Sequence, residues 1–423
     1  MKYTFLLSVL SVGMFAGMAQ AQDNQLVIIS ASAHETAMRG VGAANGVDTL
    51  APFEETNGVR IIINAVPSGE VQDALPRLGT LNRSVEDLIF VSQGTANPRI
   101  AAFLEPLDDY LSTKPIKGFP DNWINAPVKA GTINGKHYLL PLRCGVFIMW
   151  NNTQFMAERG IAAPPKTAEE LYEAAKRGTF EKPNGEKVFG FGVRGIMNQL
   201  PGTLATFAAM FGGQIVSDTG EVVVNSPAVV EGVNLLRRMY VEGLMPPNWS
   251  TVDVDQLFTD GRLTMVMAPD SNGTRYLSGG NLAADNIRPS HIPLAEAART
   301  GERDYSASNM FYWGVGILKG STDKDMAYDL LRHLASAKVE QQMIVNGNAP
   351  CTYSTLAKMG ETNPATAVGA DTLAISAAPL PGHPRLGQAT DQLGKAVQEI
   401  VINGAPVQET LDRLAAELRE TLN

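Results

Sequence analysis

Leu26-Val27-Ile28-Ile29, Val59-Arg60-Ile61-Ile62-Ile63 and Leu88-Ile89-Phe90-Val91 are the three apolar runs from which the fold is read. Each is short, mostly β-branched and nearly continuous, the pattern of a strand covered on both faces. Between the first two, residues 48–56 have helical character and stop at Asn57-Gly58, a left-handed cap signal. Between the second and third, residues 70–81 read as another helix. Strands alternating with helices predict an α/β fold with a mainly parallel sheet and helices on both faces.

Further along, Tyr138 to Trp150 is a long, weakly polar stretch, after which Asn151-Asn152 turns the chain. Thr167 and Glu170 stand at capping-box spacing and mark a helix start. Helices are predicted around 200–211, 227–242 and 254–259, followed by a strand at 263–267. Val315-Gly316-Ile317-Leu318 reads as a strand. An amphipathic helix begins at Asp325, and two more lie around 388–402 and 406–422. No Pro/Gly/Ser linker separates two independent units, which favours lobes joined by several crossing strands.

At the amino end, Lys2, the apolar run Phe5 to Met18 and Ala19-Gln20-Ala21 compose a cleavable signal peptide, 1–21. The apolar run is short of the roughly 20 residues that span a bilayer. No Cys sits at the cleavage site, so a soluble periplasmic chain without membrane insertion is expected. Of its 423 residues 44% are hydrophobic and 18% charged, enough apolar content for two lobes. A net charge of −9 without basic runs argues against nucleic acid or anionic membrane as partner. In an exported chain Cys144 and Cys351 form either one disulfide or two buried thiols.

The usual catalytic signatures are missing from the sequence. His34-Glu35 begins a zincin-like motif, but Met38 stands where the second histidine belongs. The five histidines are scattered, so neither a metal nor a cofactor is expected. Gly40 to Gly46 is one residue too long for a dinucleotide fingerprint and reads as a surface loop. The pairs Asp108-Asp109 and Asp253/Asp255 read as solvated surface. With no nucleophile, base and orienting group in sight, the chain is read as a binder rather than an enzyme. A secreted two-domain hydrolase or lyase is the competing class, and a receptor serving a membrane sensor a third.

The running order of local motifs resembles the extracellular solute-binding proteins of carbohydrate type, the group that includes maltose-binding protein. The residues that carry this are Pro52-Phe53-Glu54-Glu55-Thr56-Asn57-Gly58-Val59, Asp87-Leu88-Ile89-Phe90-Val91, Leu104-Glu105-Pro106-Leu107-Asp108-Asp109-Tyr110 and Phe258-Thr259-Asp260-Gly261-Arg262-Leu263-Thr264-Met265. Gly160-Ile161, Pro164 to Leu171, Ala327 to Ser336 and Asn348-Ala349-Pro350 complete the series. Trp150-Asn151-Asn152 stands where the family usually has Tyr-Asn-Lys. The resemblance implies a periplasmic-binding-protein fold with two lobes of mixed, mainly parallel sheet joined by hinge strands. One lobe is then 22–143 with about 315–349, and the other 144–312 with about 352–423. A ligand cleft lies between them, with hinges near Arg143, Trp313 and Pro350. It also implies a monomer that hands a sugar or polyol to the membrane subunits of an ABC importer.

Sugars are held by aromatic faces and by polar side chains that satisfy their hydroxyls. Trp313 and Tyr312 are the leading stacking candidates, with packing inside a lobe core as the competing role. Phe311 and Trp313 would share one strand face and Tyr312 the other. Arg143, a charge within an apolar stretch, and Cys144 sit at the first implied crossing. Cys351 sits at the last, where the family commonly has a polar or basic residue nearby. His34 occupies the loop after the first strand. Ser92 and Gln93 follow the third, at the end where open α/β sheets bind ligands. Arg194, Asn198 and Gln199 follow the strand around Phe189 to Gly192. Asp270 and Asn272 close the Met265 strand.

Overall fold

The chain is seen as a computed structural model that describes residues 24–422, apart from 44, 218, 279, 280, 302, 381 and 384. The expected signal peptide lies outside the described residues.

The strands are β1 (Gln25–Ala31), β2 (Arg60–Val66), β3 (Leu88–Ser92), β4 (Thr132–Ile133), β5 (Lys136–His137), β6 (Leu140–Asn152), β7 (Phe180–Glu181), β8 (Lys187–Val193), β9 (Leu263–Pro269), β10 (Ile287–Ser290) and β11 (Met310–Ile317). A nine-stranded sheet runs β2-β1-β3-β11-β6-β9-β8-β7, with β10 added to β6, and β4–β5 is a separate hairpin. β1 is parallel to β2 and β3, and β8 is parallel to β9. β11 and β6 join these parallel sets by antiparallel pairing. The fold is the expected mixed α/β sheet, with its antiparallel strands at the centre.

The three apolar runs become β1, β2 and β3, and the helices between them stop where the sequence indicates. Gly58 takes φ 60° at the end of helix Ala51–Asn57, a left-handed conformation that a Cβ disfavours. Thr167 Oγ1 accepts from the Glu170 amide at 3.1 Å. The Glu170 carboxylate turns back to the Lys166 amide at 2.7 Å, one residue before the usual partner. Asn152 ends β6 and caps helix Thr153–Glu158 by accepting from the Phe155 amide.

Two hydrophobic cores share β6. Leu142, Cys144, Val146, Ile148 and Trp150 join the residues of β1, β2, β3 and helix Lys324–Leu334 in one. Phe147 and Met149 point into the other, with helices Leu200–Ala209, Pro227–Val241, Leu386–Val401 and Val407–Leu422. This is the period-two alternation of a strand, masked in the sequence because both faces are apolar.

A third passage accompanies β6 and β11. Residues 348–352 lie beside β6: the Cys144 amide donates to the Ala349 carbonyl and Asn348 Nδ2 to the Leu142 carbonyl, both at 2.9 Å. Cys144 and Cys351 are bonded as a disulfide with their Cα atoms 5.0 Å apart, closing 207 residues of sequence. Both are fully buried.

Glu340 supports the same passage from below. It is 1% exposed, and its Oε2 accepts from Thr352 Oγ1 at 2.5 Å and Thr355 Oγ1 at 2.7 Å. Burial, with no cation beside it, raises its pKa above the usual carboxylate range. The folded chain therefore holds this proton to higher pH than the unfolded chain does. The resulting stability is complete below the unfolded pKa and lost as pH climbs through the folded one. Glu340→Gln is expected to melt at or above wild type near neutral pH, the gap closing as pH falls toward about 4. Melting temperatures across that range check this; a loss of equal size at every pH would contradict it.

Candidate functional site

The three passages meet where β3, β11 and β6 lie side by side. Trp313 is directly opposite Ser92 on β3 and Arg143 on β6, and Phe311 is opposite Gly145. Residues directly opposite in antiparallel strands put their side chains on one face. Trp313, Phe311, Ser92 and Arg143 thus share a surface, with Trp313, Phe311 and Arg143 each only partly buried. Tyr312 pairs with Cys144 on the reverse face and is 6% exposed. The structure accordingly corrects three expectations: Tyr312, Cys144 and Cys351 are core, and the last two are consumed by their disulfide.

Gly145 leaves room that this surface uses. A Cβ there would come 2.3 Å from Phe311 Cζ and 2.8 Å from Asp270 Oδ1. The end of the Phe311 ring therefore rests against bare backbone, with the Asp270 carboxylate beside it. Asp270 is buried, accepts from the Ser271 amide at 2.9 Å, and is pushed up by burial to about 7. The Arg143 guanidinium donates to Ser271 Oγ at 3.2 Å and to Asn348 Oδ1 at 3.4 Å. Burial lowers it to about 10, and the Asp270 charge works in the opposite sense.

His34 stands in helix Ser32–Arg39 rather than in a loop, because β1 passes straight into that helix. Its ring stacks on Phe90 at 4.1 Å and meets Trp313 edge-on at 4.7 Å. Nδ1 faces the Ala31 amide at 3.3 Å, which assigns the ring proton to Nε2. Burial, then the Arg143 charge, hold it neutral, well below the usual histidine range.

A second polar cluster lies further along β6. Arg194 donates to Asp255 at 2.8 Å, the Tyr276 hydroxyl donates to the same carboxylate at 2.6 Å, and Asn272 Nδ2 reaches the Tyr276 oxygen at 3.1 Å. Arg194 also sits 5.8 Å over the Phe147 ring, two residues beyond Gly145 on the same face of β6. Asp255 is 6% exposed, which overturns its reading as solvated surface. Acidic residues next to helix starts resemble surface caps in sequence, and Asp253 is indeed such a cap. The cation that draws Asp255 inward is remote in sequence.

Of the remaining candidates, Ser92 shares its hydroxyl with Thr95 at 3.2 Å. Gln93 exchanges hydrogen bonds with the Tyr312 backbone, its amide donating at 3.0 Å and its Oε1 accepting at 2.7 Å, and so prolongs the β3–β11 ladder. Asn198 is exposed in the turn Met197–Gln199. Sequence reading missed Phe311 as a site residue although its parity with Trp313 was visible. It also missed Gly145, Ser271, Asn348, Asp255 and Tyr276, for which only spatial neighbours give a signal. A separate hollow of about 510 Å³ is lined by Phe53, Asn57, Lys114, Asp329, Arg332 and His333. Its Lys114–Asp329 and Arg332–Asp329 pairs satisfy one another, and none of the crossing residues reaches it. Among the described residues no group of His, Cys, Asp or Glu side chains is placed to hold a metal, and no helix is long and apolar enough to cross a membrane.

The family model for bacterial extracellular solute-binding proteins matches residues 31–341. A binding protein of Brucella abortus is 28% identical over 184 residues, 42% of this chain and 40% of its own. An ABC transporter-binding protein of Deinococcus radiodurans is 22% identical over 241 residues, 55% of each. The chain thus spans about half the length of the curated relatives it matches. Among solved structures, maltose-bound MalE3 of T. maritima superposes with a TM-score of 0.78 at 18% identity, covering 94% of this chain and 99% of that one. A solute-binding protein of Agrobacterium radiobacter K84 in complex with ribitol gives 0.77 at 17%, covering 94% and 98%. At such identities the likeness speaks for the fold.

Proposed function

We propose that this chain, which belongs to the bacterial extracellular solute-binding proteins, captures a small sugar or polyol between the two halves of its sheet and delivers it to an ABC importer after export to the periplasm. The observation that carries the reading is the face shared by Trp313, Phe311 and Arg143 at the meeting of three passages. Indole and phenyl rings offer apolar faces to the C–H surface of a sugar, while Arg143, Asp270, Ser271 and Asn348 offer donors and acceptors beside them. The half built on β1, β2 and β3 and the half built on β8 and β9 are its two lobes. β6, β11 and residues 348–352 are the hinge.

In this mechanism no bond is made or broken. A ligand touching both lobes favours the closed arrangement by its difference in affinity for the two states. The importer then reads the closed form.

A thermal-shift screen of sugars and polyols tests the proposal. A ligand at 100 times its dissociation constant should add about 2.7 kcal/mol of stability. Trp313→Ala is expected to weaken that ligand at least about tenfold and to change the ligand-free melt little, since the ring is only partly buried. No response to any compound of these classes, or loss of the fold on truncating Trp313, counts against it.

A further inference from the structure

Arg143 is a permanent cation in a setting that supplies no permanent anion. Its two contacts are neutral and long, to Ser271 Oγ at 3.2 Å and Asn348 Oδ1 at 3.4 Å. Among the described residues no carboxylate lies within ion-pair reach of it. Asp270 is the acid whose charge acts on it, yet Asp270 accepts from the Ser271 amide and is wedged between the backbones of Gly145 and Gly369. Burial pushes Asp270 up to about 7, and its oxygens are turned to backbone rather than to the guanidinium. Arg194, the other cation acting on Arg143, is spoken for by Asp255. His34 is neutral, and its Nε2–H finds no acceptor among the described residues.

Arg143 is partly buried, and a charge drawn partly out of water favours a partner of opposite sign. A guanidinium has five N–H donors in a planar fork shaped for a carboxylate, and two contacts leave three unused. Arg143 is the directly opposite neighbour of Trp313 across the strands, so the two side chains leave the sheet on one face.

We infer that the ligand of this cleft is an acidic sugar, its ring against Trp313 and its carboxylate taken by the free fork of Arg143 with the His34 donor beside it. The inference rests on the proposed function and narrows it from sugars and polyols to uronates and aldonates. A single cation with one neutral donor matches a monoanion better than a phosphate dianion.

Calorimetric titration of the purified protein with gluconate, glucuronate and galacturonate, beside glucose, galactose and ribitol, decides it. At least one acid is expected to bind roughly a hundredfold more tightly than its neutral parent. Arg143→Gln should bring acid and parent to near parity. If that variant does not fold, Arg143→Lys, which keeps the charge and loses the fork, should cost the acid about tenfold and the neutral parent almost nothing. A neutral sugar or ribitol that binds as well as the acids overturns the inference and leaves the proposed function standing. Failure of acids and neutral compounds alike overturns both.

Discussion

Removing the Cys144–Cys351 disulfide is expected to cost the ligand-free protein about 4 kcal/mol. The bond closes 207 residues, and restricting so long a loop removes much of the freedom of the unfolded chain. It also holds residues 348–352 against β6, where that passage otherwise has two backbone-directed hydrogen bonds, from Cys144 and Asn348. The variant to make is Cys144→Ala with Cys351→Ala, so that no single thiol is left to pair between molecules. Denaturant unfolding of the double variant, and of wild type under reductant, should shift together toward lower midpoints. The native fold should survive, because the two cysteines are a small part of one core of β6 and the other core contains neither. A shift below about 1 kcal/mol would mean that packing alone secures the third passage.

Gly145→Ala is expected to reduce ligand affinity about a hundredfold while leaving the ligand-free protein folded. The added methyl would stand 2.3 Å from Phe311 Cζ and 2.8 Å from Asp270 Oδ1, distances at which something must move. Asp270 is held by backbone amides, so the Phe311 ring is the part that gives way. Its displacement takes one aromatic face out of the site and narrows the space in front of Arg143. Overpacking of this kind costs the ligand-free fold about 1–3 kcal/mol, and a displaced ring takes a contact of similar size from the ligand. Each 1.4 kcal/mol is about tenfold in affinity. Titration with whichever compound stabilises wild type reads the effect. Unchanged affinity would remove Phe311 from the site.

Much of this molecule is legible one segment at a time. The runs at Leu26, Val59 and Leu88, the cap at Gly58 and the box at Thr167 follow from side-chain periodicity and orphaned amide groups, which are local properties. The parity that sets Phe311 and Trp313 on one face is equally local. Strand β11 begins five residues before the stretch read as strand, at Met310, because Tyr312 and Trp313, read as ligand contacts, hid their role in the ladder. His34 was displaced by one element for a similar reason: nothing in Ser32 to Arg39 announces a helix except the packing of Ala37 and Met38.

The residues that turn a strand face into a site come from far apart. Asp255 goes inward only because Arg194 and Tyr276 meet it. Gly145 matters only because Phe311 and Asp270 converge on it. The pairing of Cys144 with Cys351 depends on a 5.0 Å approach of two positions 207 apart in sequence. By itself, then, the sequence determined the first three strands, the helices between them and the parity of side chains along a strand, since these depend on neighbours within a few positions. Only the tertiary structure decided which charges are buried, which are left without a counter-ion and which cysteines meet, because burial and proximity are set by what the rest of the chain lays on top.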